Sequence, residues 1–240
     1  MRRRNRQPDP FDGILLVDKP TGWTSHDVVA KVRGHFRLNK VGHGGTLDPM
    51  ATGLLVLLIG RATKCSSAIM DGDKTYSGTI QLGRTTTTQD IEGEILTELD
   101  PSAVTEEQIK NALLAFTGEI QQLPPMVSAI KKDGVALYKL ARKGIEIERE
   151  TRAVHIHRFE ITHFNNPFMN VAIECSKGTY VRTLAHDLGK ALGCGGCLSA
   201  LRRDASGALH IDQAHTLDDI LTETRETLVE RTLTPAEILP

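Results

Sequence analysis

The stretch Val41-Gly42-His43-Gly44-Gly45-Thr46-Leu47-Asp48-Pro49-Met50-Ala51-Thr52-Gly53 reads as a long glycine-rich loop, and the apolar run Leu54 to Ile59 behind it reads as a buried strand. The loop is not a nucleotide cradle. Walker A requires G-x-x-x-x-G-K-[ST] and the dinucleotide fingerprint requires G-x-G-x-x-G between a strand and a helix, and neither template fits. What the loop delivers is a carboxylate, Asp48, with Pro49 fixing the backbone after it and His43 five residues before it. Glycine at 42, 44 and 45 lets a bulky ligand come close to the main chain. On residue type and position alone, Asp48 is better read as a turn or helix-cap aspartate.

Working outward, Gly13 to Val17 is a short apolar strand that stops at Asp18-Lys19-Pro20. A helix follows, capped by Thr24 or Ser25, with Asp27 in its first turn and Val28, Val29, Val32 and Phe36 on one face. Thr75 to Leu82 alternates as a strand does. Through Gly83 and four threonines it leads to a second strand around Gly93 to Leu99, and the two are expected to pair. Glu106 to Phe116 and, more briefly, Val135 to Arg142 predict helices. Ala153 to Ile161 and Asn170 to Cys175 predict strands, and Thr179 to Leu192 an amphipathic helix after the turn Ser176-Lys177-Gly178. Strands and helices without a βαβ rhythm imply an α+β fold with a mixed sheet.

Composition bounds the function. The 240 residues are 40% hydrophobic and 25% charged, an ordinary globular balance that excludes disordered, collagenous and disulfide-scaffold classes. No apolar run approaches the roughly 20 residues of a membrane helix, and Met1-Arg2-Arg3-Arg4 leads into polar sequence rather than a signal-peptide core. Together with four unevenly spaced cysteines, this points to the cytoplasm. Net charge is −1, yet the charge is polarised. Thr85 to Glu119 is strongly acidic, whereas Gly13 to Arg84 and Lys131 to Arg158 are basic, as expected of a protein that turns one face to a polyanion. Taken alone, such a run is better read as a solvated face.

Cys194-Gly195-Gly196-Cys197 has the spacing of a zinc half-site, but no second pair completes it, so no metal is expected. Cys65 and Cys175 read as core thiols. No cofactor motif is present.

The company Asp48 keeps changes its reading. Val17 to Pro20, Gly42 to Gly53, Asp73-Lys74-Thr75-Tyr76, Leu123-Pro124-Pro125-Met126, Ser128-Ala129-Ile130-Lys131, Cys175 to Thr183 and Leu201-Arg202-Arg203 occur in order, with spacing that resembles the bacterial tRNA pseudouridine-55 synthase family from about Phe11 to Ile220. The resemblance implies the pseudouridine synthase fold, a mostly antiparallel mixed sheet flanked by helices, in one catalytic domain over residues 11–240 behind a flexible basic tail at 1–10. It implies that uridine 55 of the tRNA T-loop is flipped out and isomerised, with Asp48 catalytic, Tyr76 stacked on the target base and Arg182 paired with Asp48. His43, Tyr180 and Leu201 match positions that contact the target nucleotide or its neighbours. An insertion at about 124–152 would clamp the T-arm, and Lys19, Lys131, Lys132, Arg142, Lys143 and Arg152 are the expected RNA-backbone contacts. The implied partner is tRNA, met by a monomer with no obligatory protein partner and no cofactor.

The residue chemistry suits that reaction. Pseudouridine formation breaks the C1′–N1 bond, turns the uracil and joins C1′ to C5, with no redox change. It needs an ionised carboxylate shielded from water and an aromatic platform for the flipped base. Gly44 stands where the family pattern has threonine, which is expected to loosen the loop. Thr87 replaces an aspartate often found before the second strand, and Val127 replaces an aromatic. Many members continue into a C-terminal PUA domain, which is expected to be absent here. The alternatives are a synthase acting on rRNA or guided by RNA, and a tRNA-folding chaperone whose catalysis is secondary.

Overall fold

The computed structural model describes residues 12–128, 130–132, 134–141 and 143–238; the expected tail at 1–10 and Arg142 lie outside these. In chain order the elements are β1 (Gly13–Lys19), α1 (Ser25–His35), β2 (Val41–His43), β3 (Thr52–Ile59), α2 (Ser66–Asp71), β4 (Lys74–Leu82), β5 (Arg84–Thr86), β6 (Ile95–Glu98), α3 (Glu106–Leu113), β7 (Gly118–Gln122), β8 (Lys131–Lys132), β9 (Val135–Ala136), α4 (Leu137–Ala141), β10 (Arg152–Asn165), β11 (Phe168–Cys175), α5 (Val181–Ala191), β12 (Gly196–Ser206), β13 (Leu209–His210), β14 (His215–Thr216), α6 (Leu217–Thr222), α7 (Arg225–Leu228) and β15 (Thr232–Leu233). The chain divides into two compact units, one of Met1–Tyr76 with Arg202–Pro240, the other of Ser77–Leu201.

In the first unit β1 and β3 run antiparallel in unbroken register from Gly13 opposite Ile59 to Lys19 opposite Gly53. β14 lies parallel to β1 and β12 parallel to β3, while β2 pairs antiparallel with β3 and β15 with β1. Ile14, Leu16, Leu54, Val56, Leu58, Ile69 and Leu209 form one buried cluster. The alternate residues Leu15, Val17, Leu55, Leu57 and Ile59 are buried as well, so both faces of these strands are covered, which is why they read as unbroken apolar runs. The strand expected to end at Val17 continues through Lys19, and Val41 to His43, expected as loop, is a strand on β3. Of the two expected caps of α1, Thr24 is the one used: it forms a reciprocal capping box with Asp27 before buried Val28, Val29 and Val32.

In the second unit the order is β12, β4, β11, β10, β7, with β10 antiparallel to both neighbours. The expected pairing of the strand at 75–82 with that near 93–99 is not observed. β6 pairs instead with the short β5. Gly83, at φ +84°, turns the chain at the end of β4, and its carbonyl accepts from the Leu99 amide, closing a separate hairpin. α3 is capped by Thr105 and Gln108, and α5 buries Val181, Leu184, Ala185 and Leu188 along one stripe.

Candidate active site

Asp48 lies on the loop between β2 and β3, and side chains of the first unit tie that loop down peptide by peptide. Every carbonyl from Gly45 to Met50 accepts a hydrogen bond. Arg203 donates from Nη2 to Gly45 O (3.2 Å) and from Nη1 to Thr46 O (3.3 Å). Ser25 Oγ donates to Leu47 O (3.1 Å) and accepts from the Leu47 amide (2.8 Å). The Ala51 amide reaches Asp48 O, Lys19 Nζ and the Gly22 amide reach Pro49 O, and Thr21 Oγ1 reaches Met50 O. A backbone so fully satisfied is a fixed frame for the one carboxylate it carries.

Two expectations about this frame are corrected. Lys19 is 0% exposed and its Nζ donates to Pro20 O (2.9 Å), Trp23 O (2.7 Å) and Pro49 O (3.2 Å). An ammonium with no accessible surface does not meet a phosphate, so Lys19 holds the loop instead. Gly44 does not loosen the loop: its amide donates to Val56 O at 2.8 Å, and an added Cβ would overlap the Ile69 side chain. Isoleucine fills the volume that a larger residue at 44 would need. His43, at the end of β2, meets His26 edge to face with ring centroids 6.3 Å apart. Burial, aided by the charges of His26 and Arg203, holds its pKa below the ordinary histidine value. Tyr76, in β4, is half-buried.

The second unit places the other expected residues. Tyr180 is the N-cap of α5. Its amide donates to Gln122 Oε1 (2.7 Å), its carbonyl accepts from Gln122 Nε2 (3.0 Å), and the Arg152 guanidinium lies 4.5 Å from its ring centroid. Arg152, expected on the RNA backbone, is thus also a partner of Tyr180. Arg182 is 2% exposed, with Nη1 at 3.5 Å from the Asp90 carboxylate and 2.9 Å from Thr88 O, and Nη2 at 2.9 Å from Val127 O. Asp90 itself is held by the Thr88 hydroxyl and the Glu92 amide. Leu201 is buried near the end of the unit, in β12. Lys131, Lys132 and Lys143 are exposed, and Arg149 spans the insertion by donating to Pro124 O and Glu146.

The sequence reading gave no sign that Arg203, Ser25, Gln122 and Asp90 hold the site residues; Ser25 was named only as a possible helix cap. Arg203 stood in a quoted motif, but its burial had no signal, because a strand written Leu-Arg-Arg-Asp does not look like core. Cys194 and Cys197 are buried free thiols, and burial pushes the Cys197 thiol up. Among the described residues no cluster of three His, Cys, Asp or Glu side chains is arranged to hold a metal.

The mixed, mostly antiparallel sheet flanked by helices is the fold of the pseudouridine synthases. The solved Cbf5–Nop10–Gar1 complex contains a chain superposing with TM-score 0.69 at 29% identity over 91% of this chain, and the archaeal box H/ACA Nop10–Cbf5 complex one with TM-score 0.65 at 28% over 88%. This chain spans 61% and 53% of those two chains. Residues 33–181 match the model for the N-terminal domain of TruB family pseudouridylate synthases, and 182–239 match that for the tRNA pseudouridylate synthase B C-terminal domain. Proteins named tRNA pseudouridine synthase B are 54% identical in Opitutus terrae, over 88% of this chain and 87% of that one, and 44% identical in Bordetella avium, over 98% of each. The chain belongs to the TruB family of pseudouridylate synthases.

Proposed function

We propose that this protein isomerises uridine 55 in the T-loop of tRNA to pseudouridine, acting in the cytoplasm as a monomer without metal or cofactor. The supporting observation is the loop carrying Asp48, in which every carbonyl from Gly45 to Met50 is hydrogen-bonded. A nucleophilic or electrostatic carboxylate is effective only if its placement survives the arrival of a flipped nucleotide. Asp48 attacks the nucleotide or assists deprotonation of its sugar, the C1′–N1 bond breaks, the uracil turns, and C5 joins C1′ as its proton leaves. Tyr76 is the stacking platform, Arg182 pairs with Asp48 and keeps it charged, and His43, Tyr180 and Leu201 contact the target nucleotide and its neighbours. Lys131, Lys132, Lys143 and Arg152 meet T-arm phosphates, giving affinity without sequence information.

The test is base-resolution pseudouridine mapping of a tRNA transcript after incubation with the purified chain, beside Asp48→Asn. The parent is expected to modify position 55 alone. Asp48→Asn is expected to lose turnover while tRNA affinity stays within a few-fold, since affinity is dominated by phosphate contacts. Modification elsewhere, or an Asp48→Asn rate within about tenfold of the parent, a barrier change of only about 1.4 kcal/mol, defeats the reading.

A further inference from the structure

We infer that Arg203 is a positioning residue for catalysis: its guanidinium fixes the entry and exit of the loop between β2 and β3 and so sets where Asp48 stands. The inference rests on the pseudouridylate synthase reading of that loop. Arg203 is 2% exposed, among the largest fully buried side chains of the protein. It faces Gly53 across the parallel pairing of β12 with β3. Gly53 has φ +96°, and a Cβ there would come within 2.7 Å of the Arg203 amide nitrogen, so only glycine allows the two backbones this approach. From that point Nε donates to Leu54 O (2.7 Å), at the start of β3, while Nη1 and Nη2 donate to Thr46 O and Gly45 O. One planar group thereby joins residues on both sides of Asp48. The geometry of the fork is what matters, because a lysine ammonium is a single point on a flexible stem and cannot hold three divergent carbonyls at fixed angles.

A purely structural role explains the residue poorly. Among the described residues no carboxylate pairs with Arg203; its hydrogen bonds go to carbonyl oxygens alone. A buried cation compensated only by dipoles is costly, and an apolar residue of similar volume commonly serves stability as well or better. The charge is also felt at the site, since Arg203 is one of the groups that depress the pKa of His43. Ser25 supports the same loop from α1 through both polar groups of Leu47.

The test uses the full chain with Arg203→Lys, which keeps the charge and loses the fork, and Ser25→Ala, a small change that releases Leu47. Single-turnover rates on a tRNA transcript, the Kd for that transcript and amide exchange at Leu47 are measured for each. Arg203→Lys is expected to lower the single-turnover rate by about 100-fold, the scale of a 1 Å misplacement, with Kd within threefold and faster exchange at Leu47. Ser25→Ala is expected to follow with about a tenfold loss. A rate within threefold of the parent in folded Arg203→Lys overturns the inference. So does a rate loss accounted for by weaker RNA binding, or unchanged exchange at Leu47. If Arg203→Lys does not fold, Ser25→Ala decides: faster exchange without loss of rate overturns the inference, and a joint change supports it. A parent that makes no pseudouridine defeats the functional reading instead, and Leu47 exchange then decides whether Arg203 fixes the loop.

Discussion

Gln122 holds the peptide of Tyr180 with both ends of its amide, accepting from Tyr180 N at 2.7 Å and donating to Tyr180 O at 3.0 Å across 58 residues of sequence. Its cross-strand partner on β10 is Arg152, whose guanidinium lies over the Tyr180 ring. One pair of facing residues therefore fixes both the main chain and the ring of the tyrosine that opens α5. Gln122→Glu keeps the shape but replaces the donor by an acceptor facing Tyr180 O, inside a site where Gln122 is buried. The expected stability loss is about 1–3 kcal/mol, from one carbonyl left without a donor. A fall of about tenfold in single-turnover rate is expected beside it. Thermal melts and rates for Gln122→Glu and Gln122→Met check this; parental values in both would show that Tyr180 needs no such support.

Gly44 and Ile69 make a second pair in which each identity requires the other. Gly44→Thr drives a side chain into the Ile69 methyl groups, and overpacking of this kind costs about 1–3 kcal/mol. Gly44→Thr combined with Ile69→Ala should recover part of that loss, because the truncation opens the volume the threonine needs. Chemical denaturation of both single variants and the double variant gives the coupling. Additive losses would mean the loop yields elsewhere and that Ile69 is not what demands glycine.

The pattern of what the sequence disclosed follows from the range of each interaction. The start of α1 was legible, with Thr24 or Ser25 as its cap, because capping bonds are local; the choice of Thr24 and its reciprocal bond with Asp27 came from the structure. β3 was legible because both its faces are covered, so every residue is apolar. β5 with β6 was misread since the choice of partner depended on the Gly83 turn and on tertiary packing, not on alternation. The resemblance singles out Asp48, Tyr76 and Tyr180 as candidates, but the groups that hold the Asp48 loop and Tyr180 carry no such signal: Ser25 reaches Leu47 over 22 residues and Arg203 reaches Gly45 over 158. A buried cation on a strand looks like a surface residue until its carbonyl partners are in place. Lys19 misled for the same reason, its charge suggesting phosphate when its burial serves Pro49.

Burial and the neighbouring charges of His26 and Arg203 lower the pKa of His43 below the ordinary histidine value. The sign of the linkage follows. The folded state binds fewer protons at this position than the unfolded state once pH falls below the ordinary histidine range, so stability declines there as acid is added. Above that range both forms are neutral and the contribution vanishes. A proton-detected titration of the His43 ring, assigned with His43→Gln, should give a midpoint below that of exposed histidines, and the midpoint should rise in Arg203→Met, where one depressing charge is removed. A midpoint at the ordinary value in the parent would remove the electrostatic link between Arg203 and the site.

Tyr76 separates stacking from proton transfer. Tyr76→Phe keeps the ring and removes the hydroxyl, whereas Tyr76→Leu removes the platform itself. If stacking alone mattered, Phe would turn over almost normally and Leu would lose about 1–3 kcal/mol, the worth of one base on one aromatic ring. Rejoining C1′ to C5 also requires a base to take the C5 proton, and His43 closes the strand β2 just before the loop that carries Asp48. A half-buried tyrosine can supply an oxygen where a phenylalanine cannot. The expected outcome is therefore a substantial loss in both variants, with Phe nearer to Leu than to the parent. Single-turnover rates at saturating enzyme isolate this from binding. Normal turnover by Phe with a damaged Leu would leave stacking as the sole role, and normal rates in both would make Tyr76 a packing residue.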